Sequence, residues 1–317
     1  MFRWGIFLLA CVFLYVRLAG PKGIVATGGR PLLDMVFAKS ALLTGVFGLM
    51  LFNWWLESYK WRLLLRQVEP TGAWRAFVAT IAGTSVGFVS VNRTGEFLGR
   101  VLFLSPTNRI RGGFASTLGS IAQFVVTLVA GGLGLLVLTV SGSALPWPAG
   151  WISWALATLT ALVTATALVL YFYPGVLRNL LLLVPFLRRF ERASNVLSGY
   201  QRSDLLSVLL LSMARYIVFS AQFGVLLWGF SAGVTQVEAA LAVPVVYLIA
   251  TLIPSVMLTE LGVRGSVAMA VLAPLGANDA IVLIATTCLW MINVALPAFT
   301  GSLILLFARI RQNNNGA

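Results

Sequence analysis

Hydrophobic residues in this chain come in long runs separated by short polar stretches, with little of the two-residue alternation that marks a half-buried strand. A membrane-crossing helix needs roughly 20 apolar residues. Runs that meet or approach this length cover 4–19, 41–64, 112–140, 150–173, 205–230 and 278–308. Two further apolar regions are interrupted. Residues 73–105 are broken by the polar stretch from Asn92 to Glu96, and residues 236–275 by Pro254-Ser255 and by Thr259 to Gly265. The pattern predicts an all-α polytopic membrane protein with about six full transmembrane helices.

Basic residues orient these spans. Lys60, Arg62, Arg66 and Arg75 follow the second run. Arg109 and Arg111 follow the first broken region. Arg178, Arg188, Arg189, Arg192 and Arg202 fill the longest hydrophilic loop, and Arg309 and Arg311 follow the last run. The positive-inside rule puts all four groups in the cytoplasm. Loops 141–149 and 231–236 carry no basic residue and are expected outside. Region 73–105 then begins and ends inside, while 236–275 begins and ends outside. We therefore expect two opposed re-entrant hairpins, a device that membranes tolerate where irregular backbone is buried or faces a wet cavity. Eight ordinary spans are the alternative. The 20–39 loop, with Lys22, Arg30 and Lys39, breaks the rule. Residues 1–310 are expected to form one integral membrane domain, and 311–317 a disordered cytoplasmic tail. Arg3 and the run from Trp4 to Val16 have signal-peptide character, and Leu8 to Cys11 loosely matches a lipoprotein box. The run continues past Cys11, so an uncleaved first helix is expected.

Composition supports this reading. Of 317 residues, 59% are hydrophobic and 10% charged, against about 25% charged in soluble domains. Mean hydropathy is +0.95. The net charge of +13 would suggest nucleic acid in a soluble protein. Here it fits basic loops on anionic phospholipids, and no nucleic-acid partner is expected. Cys11 and Cys288 are far apart and imply no disulfide framework. The chain has no histidine, which excludes His-based catalysis and the common zinc ligand sets. No metal or cofactor is expected.

Charge inside a bilayer is costly and is generally paired or functional. Two stretches carry it: Arg93-Thr94-Gly95-Glu96-Phe97-Leu98-Gly99-Arg100, and Thr259-Glu260-Leu261-Gly262-Val263-Arg264-Gly265. Each places Glu four residues before Arg, on one face of a helix. Arg93, Arg100 and amides at a helix start near Gly95 suit an anion such as phosphate, with Glu96 orienting an arginine or exchanging with the ligand. Glu260 and Arg264 follow the same logic, with Gly262 and Gly265 permitting turns. In both cases a structural Glu–Arg pair is the plain alternative. Arg215, deep in its run, either contacts substrate or neutralises Glu57 or Glu96. Lys60, Trp61 and Arg62 suit interfacial anchoring, with headgroup contact as the lesser reading. Gln123 and Asn293 suit interhelical hydrogen bonds, and Gly83-x-x-x-Gly87 and Gly95-x-x-x-Gly99 suit close helix packing.

Three of these stretches carry a family resemblance. Tyr59-Lys60-Trp61-Arg62-Leu63-Leu64-Leu65, Asn92-Arg93-Thr94-Gly95-Glu96-x-x-x-Arg100, and Ile253-Pro254-Ser255 with Glu260-Leu261-Gly262-Val263-Arg264 resemble, in order and rough spacing, the membrane (flippase-like) domain of bacterial lysyl-phosphatidylglycerol synthases and their stand-alone relatives. Asn92 stands where that family usually has Pro. Thr259-Glu260 stands in place of Gly-Gly, and Arg264-Gly265 in place of Arg-Glu. The resemblance implies a lipid flippase of the bacterial cytoplasmic (inner) membrane, with its C-terminus in the cytoplasm. With no soluble synthase domain before Ala317, it implies transport without synthesis and no enzyme activity. Arg93, Gly95, Glu96, Arg100, Glu260, Gly262, Arg264 and Arg215 are the expected substrate residues. The substrate is expected to be an anionic or phosphate-bearing lipid held between the two hairpin tips. A membrane transferase using Glu96 and Glu260 as acid and base is the alternative. A partner subunit of an envelope enzyme is the third reading, and a homo-oligomer or a lipid-modifying enzyme is a possible association.

Overall fold

The computed structural model of the chain describes residues 34, 36–88, 90, 93–147, 150–255 and 257–307. The expected first span 4–19, Cys11, Lys22, Arg30, Asn92, Arg309, Arg311 and the expected tail 311–317 lie outside the described residues. Among the described residues the fold is all-helical, with no strand. The principal helices are α1 (Ser40–Leu65), α2 (Ala73–Phe88), α3 (Gly95–Val101), α4 (Arg109–Val140), α5 (Trp151–Phe172) and α6 (Pro174–Leu182). They continue with α7 (Arg202–Gly229), α8 (Gln236–Leu252), α9 (Met257–Leu272), α10 (Asp279–Trp290) and α11 (Leu296–Phe307).

Four helical stretches among the described residues are long and apolar enough to cross a membrane: Pro106–Val140, Trp151–Phe172, Arg202–Gly229 and Asp279–Phe307. This fits an α-helical membrane protein. The 26-residue α1 is also about 39 Å long at 1.5 Å per residue, but it is not among the four. Its second half carries Asn53, Glu57, Ser58 and Lys60, all buried. The last stretch contains one π-helical turn, Met291–Ala295. Pro297 lacks the N–H that would bond to the Asn293 carbonyl, which loosens the ladder there. The Asn293 side chain donates to Leu289 O on its own helix, at 3.2 Å, where an interhelical bond was expected.

Both interrupted regions are pairs of short helices. Ala73–Phe88 has 16 residues and Gly95–Val101 has seven. Gln236–Leu252 has 17 and Met257–Leu272 has 16. The second break falls at Ile253-Pro254-Ser255, where Pro254 cannot continue the ladder. Gly262 and Gly265 lie within α9 and make no turn.

The chain divides into two compact units. The first comprises residues up to Leu51, Thr127–Leu162 and Ile217–Ala295. In it, α8 packs on α9 and α9 on α10. A Cβ on Gly131 would come within 2.5 Å of Leu248 Cβ, and one on Gly134 within 2.5 Å of Leu241 O. Gly131-Gly132-x-Gly134 is therefore a helix-packing stripe. Thr235 and Glu238 form a capping box on α8. The Asn278 side chain accepts from the Ala280 and Ile281 amides at the start of α10.

The second unit comprises Phe52–Val126, Val163–Tyr216 and residues from Leu296 on. Here α2 packs against α3 and α11. The α2–α3 contact is made by glycines. A Cβ on Gly83 would lie 2.7 Å from Glu96 O and 2.8 Å from Arg100 Cγ, and one on Gly87 would lie 2.5 Å from Glu96 Cγ. A Cβ on Gly99 would lie 2.7 Å from Gly83 Cα. Gly83→Ala is expected to lower stability by about 1–3 kcal/mol, because the obstacle is partly backbone. Gly113→Ala meets nothing within 4 Å and is expected to raise stability by about 0.5–1 kcal/mol. Thermal unfolding of both variants in detergent checks the contrast.

At the end of α1, Glu69 accepts hydrogen bonds from Ser105 N, Ser105 Oγ and Asn108. Arg75 lies beside it and donates to Phe103 O. Burial alone would raise the Glu69 carboxyl. The donors and Arg75 outweigh it, and the group titrates below the ordinary carboxylate range.

A buried charge cluster as the candidate functional site

Within the second unit, α1, α3, α4 and α7 bring a set of charged side chains together. Asn53, Glu57 and Lys60 sit at i, i+4 and i+7 on α1, along one face of the helix. Glu57 is the hub. Its Oε1 accepts from Arg100 Nη1 at 2.7 Å, and its Oε2 lies 2.8 Å from Lys60 Nζ and 3.1 Å from Arg215 Nη1. The Glu57 side chain is only 7% exposed.

Glu96 is a second, looser hub. Its Oε2 meets Arg100 Nη2 at 3.2 Å and its Oε1 meets Arg93 Nε at 2.9 Å. Arg100 thus bridges the two carboxylates. It does so because Glu96 and Arg100 are one turn apart on α3, and α3 is drawn close by the glycines of α2. Arg215 also donates to Gln123 Oε1 at 3.4 Å, and its guanidinium stands 5.4 Å from the Trp54 ring centre. Gln123 in turn donates to Ser212 O on α7, an interhelical bond of the kind its position suggested.

Two features set the cluster apart from an exposed surface ion pair. Arg93 has a φ of +60°, the left-handed region that costs a non-glycine residue roughly 1–2 kcal/mol. Strain of this sort concentrates where a side chain must be aimed. The second feature is charge. Lys60, Arg93, Arg100 and Arg215 face Glu57 and Glu96, so these six side chains carry two excess positive charges. Arg215 lies about 20 Å along the 28-residue α7, near the middle of a membrane-capable helix. Ions removed from water cost several kcal/mol each unless compensated.

The sequence-predicted residues distribute as follows. Arg93, Glu96, Arg100, Arg215 and Lys60 are brought together. Gly95 is a packing residue whose N–H donates to Ser90 Oγ at 2.7 Å, and the Glu96 N–H donates to Arg93 O at 3.0 Å. Those two amides are already used. Lys60 and Trp61, expected as interfacial anchors with headgroup contact as the lesser reading, are instead buried inside the protein, at 2% and 1% exposure. Lys60 also donates to Gly119 O, and Trp61 Nε1 donates to Ser116 Oγ at 3.0 Å. Arg62 donates to Thr71 O and holds the following loop.

Glu260, Gly262 and Arg264 belong to the other unit. Glu260 and Arg264 pair across one turn of α9. The Arg264 guanidinium lies 5.7 Å from the Phe219 ring centre. It borders a cavity of about 10 Å³, room for roughly one water, lined also by Phe223, Tyr247, Thr286 and Trp290.

Sequence reasoning named Glu57 only as a possible neutraliser of Arg215. The available signal was the Asn53, Glu57, Lys60 stripe on a largely apolar helix. Among the described residues, no group of three or more His, Cys, Asp or Glu side chains is placed to hold a metal ion. Compared with known protein families, curated proteins and solved structures, the chain matches none.

Proposed function

We propose that the protein is a lipid flippase that moves an anionic or phosphate-bearing lipid across the bacterial cytoplasmic membrane. The observation that carries this reading is the buried cluster of four cations and two carboxylates on apolar helices. An anionic headgroup is the ligand such a cluster favours, and a dianionic phosphomonoester or a diphosphate carries more negative charge than the single carboxylate it would displace. The resemblance of the Arg93 to Arg100 stretch to flippase-like domains points the same way. So does the shortness of α2 and α3, at about 24 and 10 Å, which suits a re-entrant hairpin better than a full crossing.

The unequal grip on the two carboxylates suggests the mechanism. Glu57 is held by three cations, whereas Glu96 is held by Arg93 and Arg100 and its side chain is 13% exposed. Glu96 is the one to yield. An incoming phosphate takes its place on Arg93 and Arg100, while Glu57 keeps Lys60 and Arg215 in position. When the headgroup leaves, Glu96 returns and the empty site is not left with bare arginines. Binding energy is thus exchanged rather than added, which keeps the lipid from being trapped.

The test is translocation in liposomes. Purified protein is reconstituted with a panel of headgroup-labelled lipids, and their exposure on the opposite leaflet is followed over time. Selective movement of phosphate-bearing lipids is expected, lost in Arg93→Ala and Glu96→Gln although both remain folded in detergent. Wild-type rates in both variants would sink the proposal. Absence of any movement by folded wild-type protein would sink it equally.

A further inference from the structure

The longest hydrophilic loop is not a loop. Residues 174–199 fold as α6, two single helical turns (Pro185–Arg188 and Glu191–Ser194) and a 3-10 segment, Asn195–Gly199. One side of this arm is packed inward through Leu177, Val196 and Leu197. The other side presents Val176, Leu180, Leu183, Val184 and Phe186, each 45–66% exposed. Val176 and Leu180 lie one turn apart on α6, which ends at Leu182, and Leu183, Val184 and Phe186 carry the apolar surface on through the turns that follow.

Charge accompanies the apolar surface. Between Pro174 and Arg192 the chain has four arginines and one acidic residue. Glu191 pairs with Arg178 at 3.1 Å, leaving Arg188, Arg189 and Arg192 in excess, all exposed. Arg189 lies 3.8 Å from the Phe186 ring centre and 4.6 Å from that of Phe190, so its charge rides on the apolar surface. Arg188 donates to Leu182 O at the end of α6. Position completes the picture. The membrane-capable α5 ends at Phe172, and only Tyr173 separates it from Pro174, so the arm follows directly on a helix able to cross a membrane.

We infer that the arm is an interfacial anchor that lies in the headgroup layer of an anionic leaflet, its apolar surface among the upper acyl chains and its arginines on lipid phosphates. An exposed apolar surface flanked by arginines is what such a leaflet selects. A neutral leaflet would satisfy the apolar surface but leave three cations without partners. The arm is separate from the charge cluster, and the inference stands whether or not that cluster moves lipid.

The test uses the full chain in vesicles of phosphatidylcholine, with or without phosphatidylglycerol. A fluorescent probe is attached to Leu183→Cys in a Cys11→Ser, Cys288→Ser background, with Ser198→Cys as the outward control. With phosphatidylglycerol present, the probe at 183 is expected to shift to the blue and to be quenched by brominated acyl chains, and the probe at 198 is not. Replacing Arg188, Arg189 and Arg192 by Gln is expected to shift the docked-to-free ratio roughly a hundredfold toward free. Equal quenching in both vesicle types would overturn the anionic preference. Shielding from an aqueous quencher without quenching by brominated lipid would mark a second copy or another protein instead, and overturn the inference. Hydrogen exchange of residues 174–192 in the unmodified protein gives an independent reading. Slower exchange in the anionic vesicles supports the anchor, and identical exchange refutes it.

Discussion

Glu57→Gln is expected to destabilise the protein by about 3–5 kcal/mol, the usual penalty for breaking a buried ion pair and leaving its partner charge behind. Lys60, Arg100 and Arg215 would then face a neutral amide, in a place where water cannot replace the lost carboxylate. The size follows from burial. The Glu57 side chain is 7% exposed, with Lys60 at 3% and Arg100 at 6%. Glu191, by contrast, pairs with Arg178 at 65% exposure, and Glu191→Gln is expected to change stability by no more than about 0.5 kcal/mol. Unfolding in detergent, followed by heat or denaturant, separates the two. The proposed anion site adds a second reading to the same experiment. A dianionic phospholipid analogue should restore part of the lost stability in Glu57→Gln, because ligand binding stabilises only the folded form. Equal stability of the two variants would remove Glu57 as the hub.

Arg100→Lys is expected to keep the fold and lose transport. The guanidinium spans two carboxylates with two nitrogens, at 2.7 Å to Glu57 and 3.2 Å to Glu96. A lysine ammonium is a compact point charge and cannot reproduce that fork. Glu57 retains Lys60 and Arg215, so the fold is expected to lose only about 1.5–3 kcal/mol, the worth of a charged hydrogen bond. Transport is expected to fall by at least tenfold, because an exchange that relies on Arg100 holding Glu57 while releasing Glu96 needs both ends. Arg100→Lys combined with Glu96→Gln tests the coupling directly. If the two residues act in one exchange, the double variant should transport no worse than the slower of the two single variants. Additive losses would mean that they act separately. The Gly83→Ala comparison bears on the same site, because Gly83 is what allows Arg100 and the Glu96 backbone to approach α2.

How much of this was written in the chain can be judged residue by residue. Run length alone predicted helices where α1, α4, α5, α7 and the α10–α11 stretch lie, because a helix long enough to cross a bilayer needs an unbroken apolar sequence. Polar interruptions marked the breaks in the two remaining regions, because Pro254 and the stretch ending at Glu96 cannot sit in continuous apolar helix. The local i, i+4 pairs Glu96–Arg100 and Glu260–Arg264 were legible, since both partners lie on one helical turn.

What the sequence could not determine is what depends on distant parts of the chain meeting. Glu57 and Arg100 are 43 residues apart, and only the packing of α1, α3 and α7 makes one carboxylate serve three cations. Lys60 and Trp61 read as interface anchors by composition, yet tertiary packing encloses both. The Gly95 and Glu96 amides read as free donors at a helix start, but Ser90 and Arg93 reach them first. The stretch 174–192 read as a hydrophilic loop on the strength of its arginines, although valine, leucine and phenylalanine make up much of it. Its apolar surface becomes visible only once the fold leaves Val176, Leu180, Leu183 and Val184 exposed together. Sequence determined which segments are apolar and which charges are held among them, because both depend on local composition. Tertiary structure alone decided which charges meet, because a pairing between remote residues is fixed by how helices pack and not by what either helix contains.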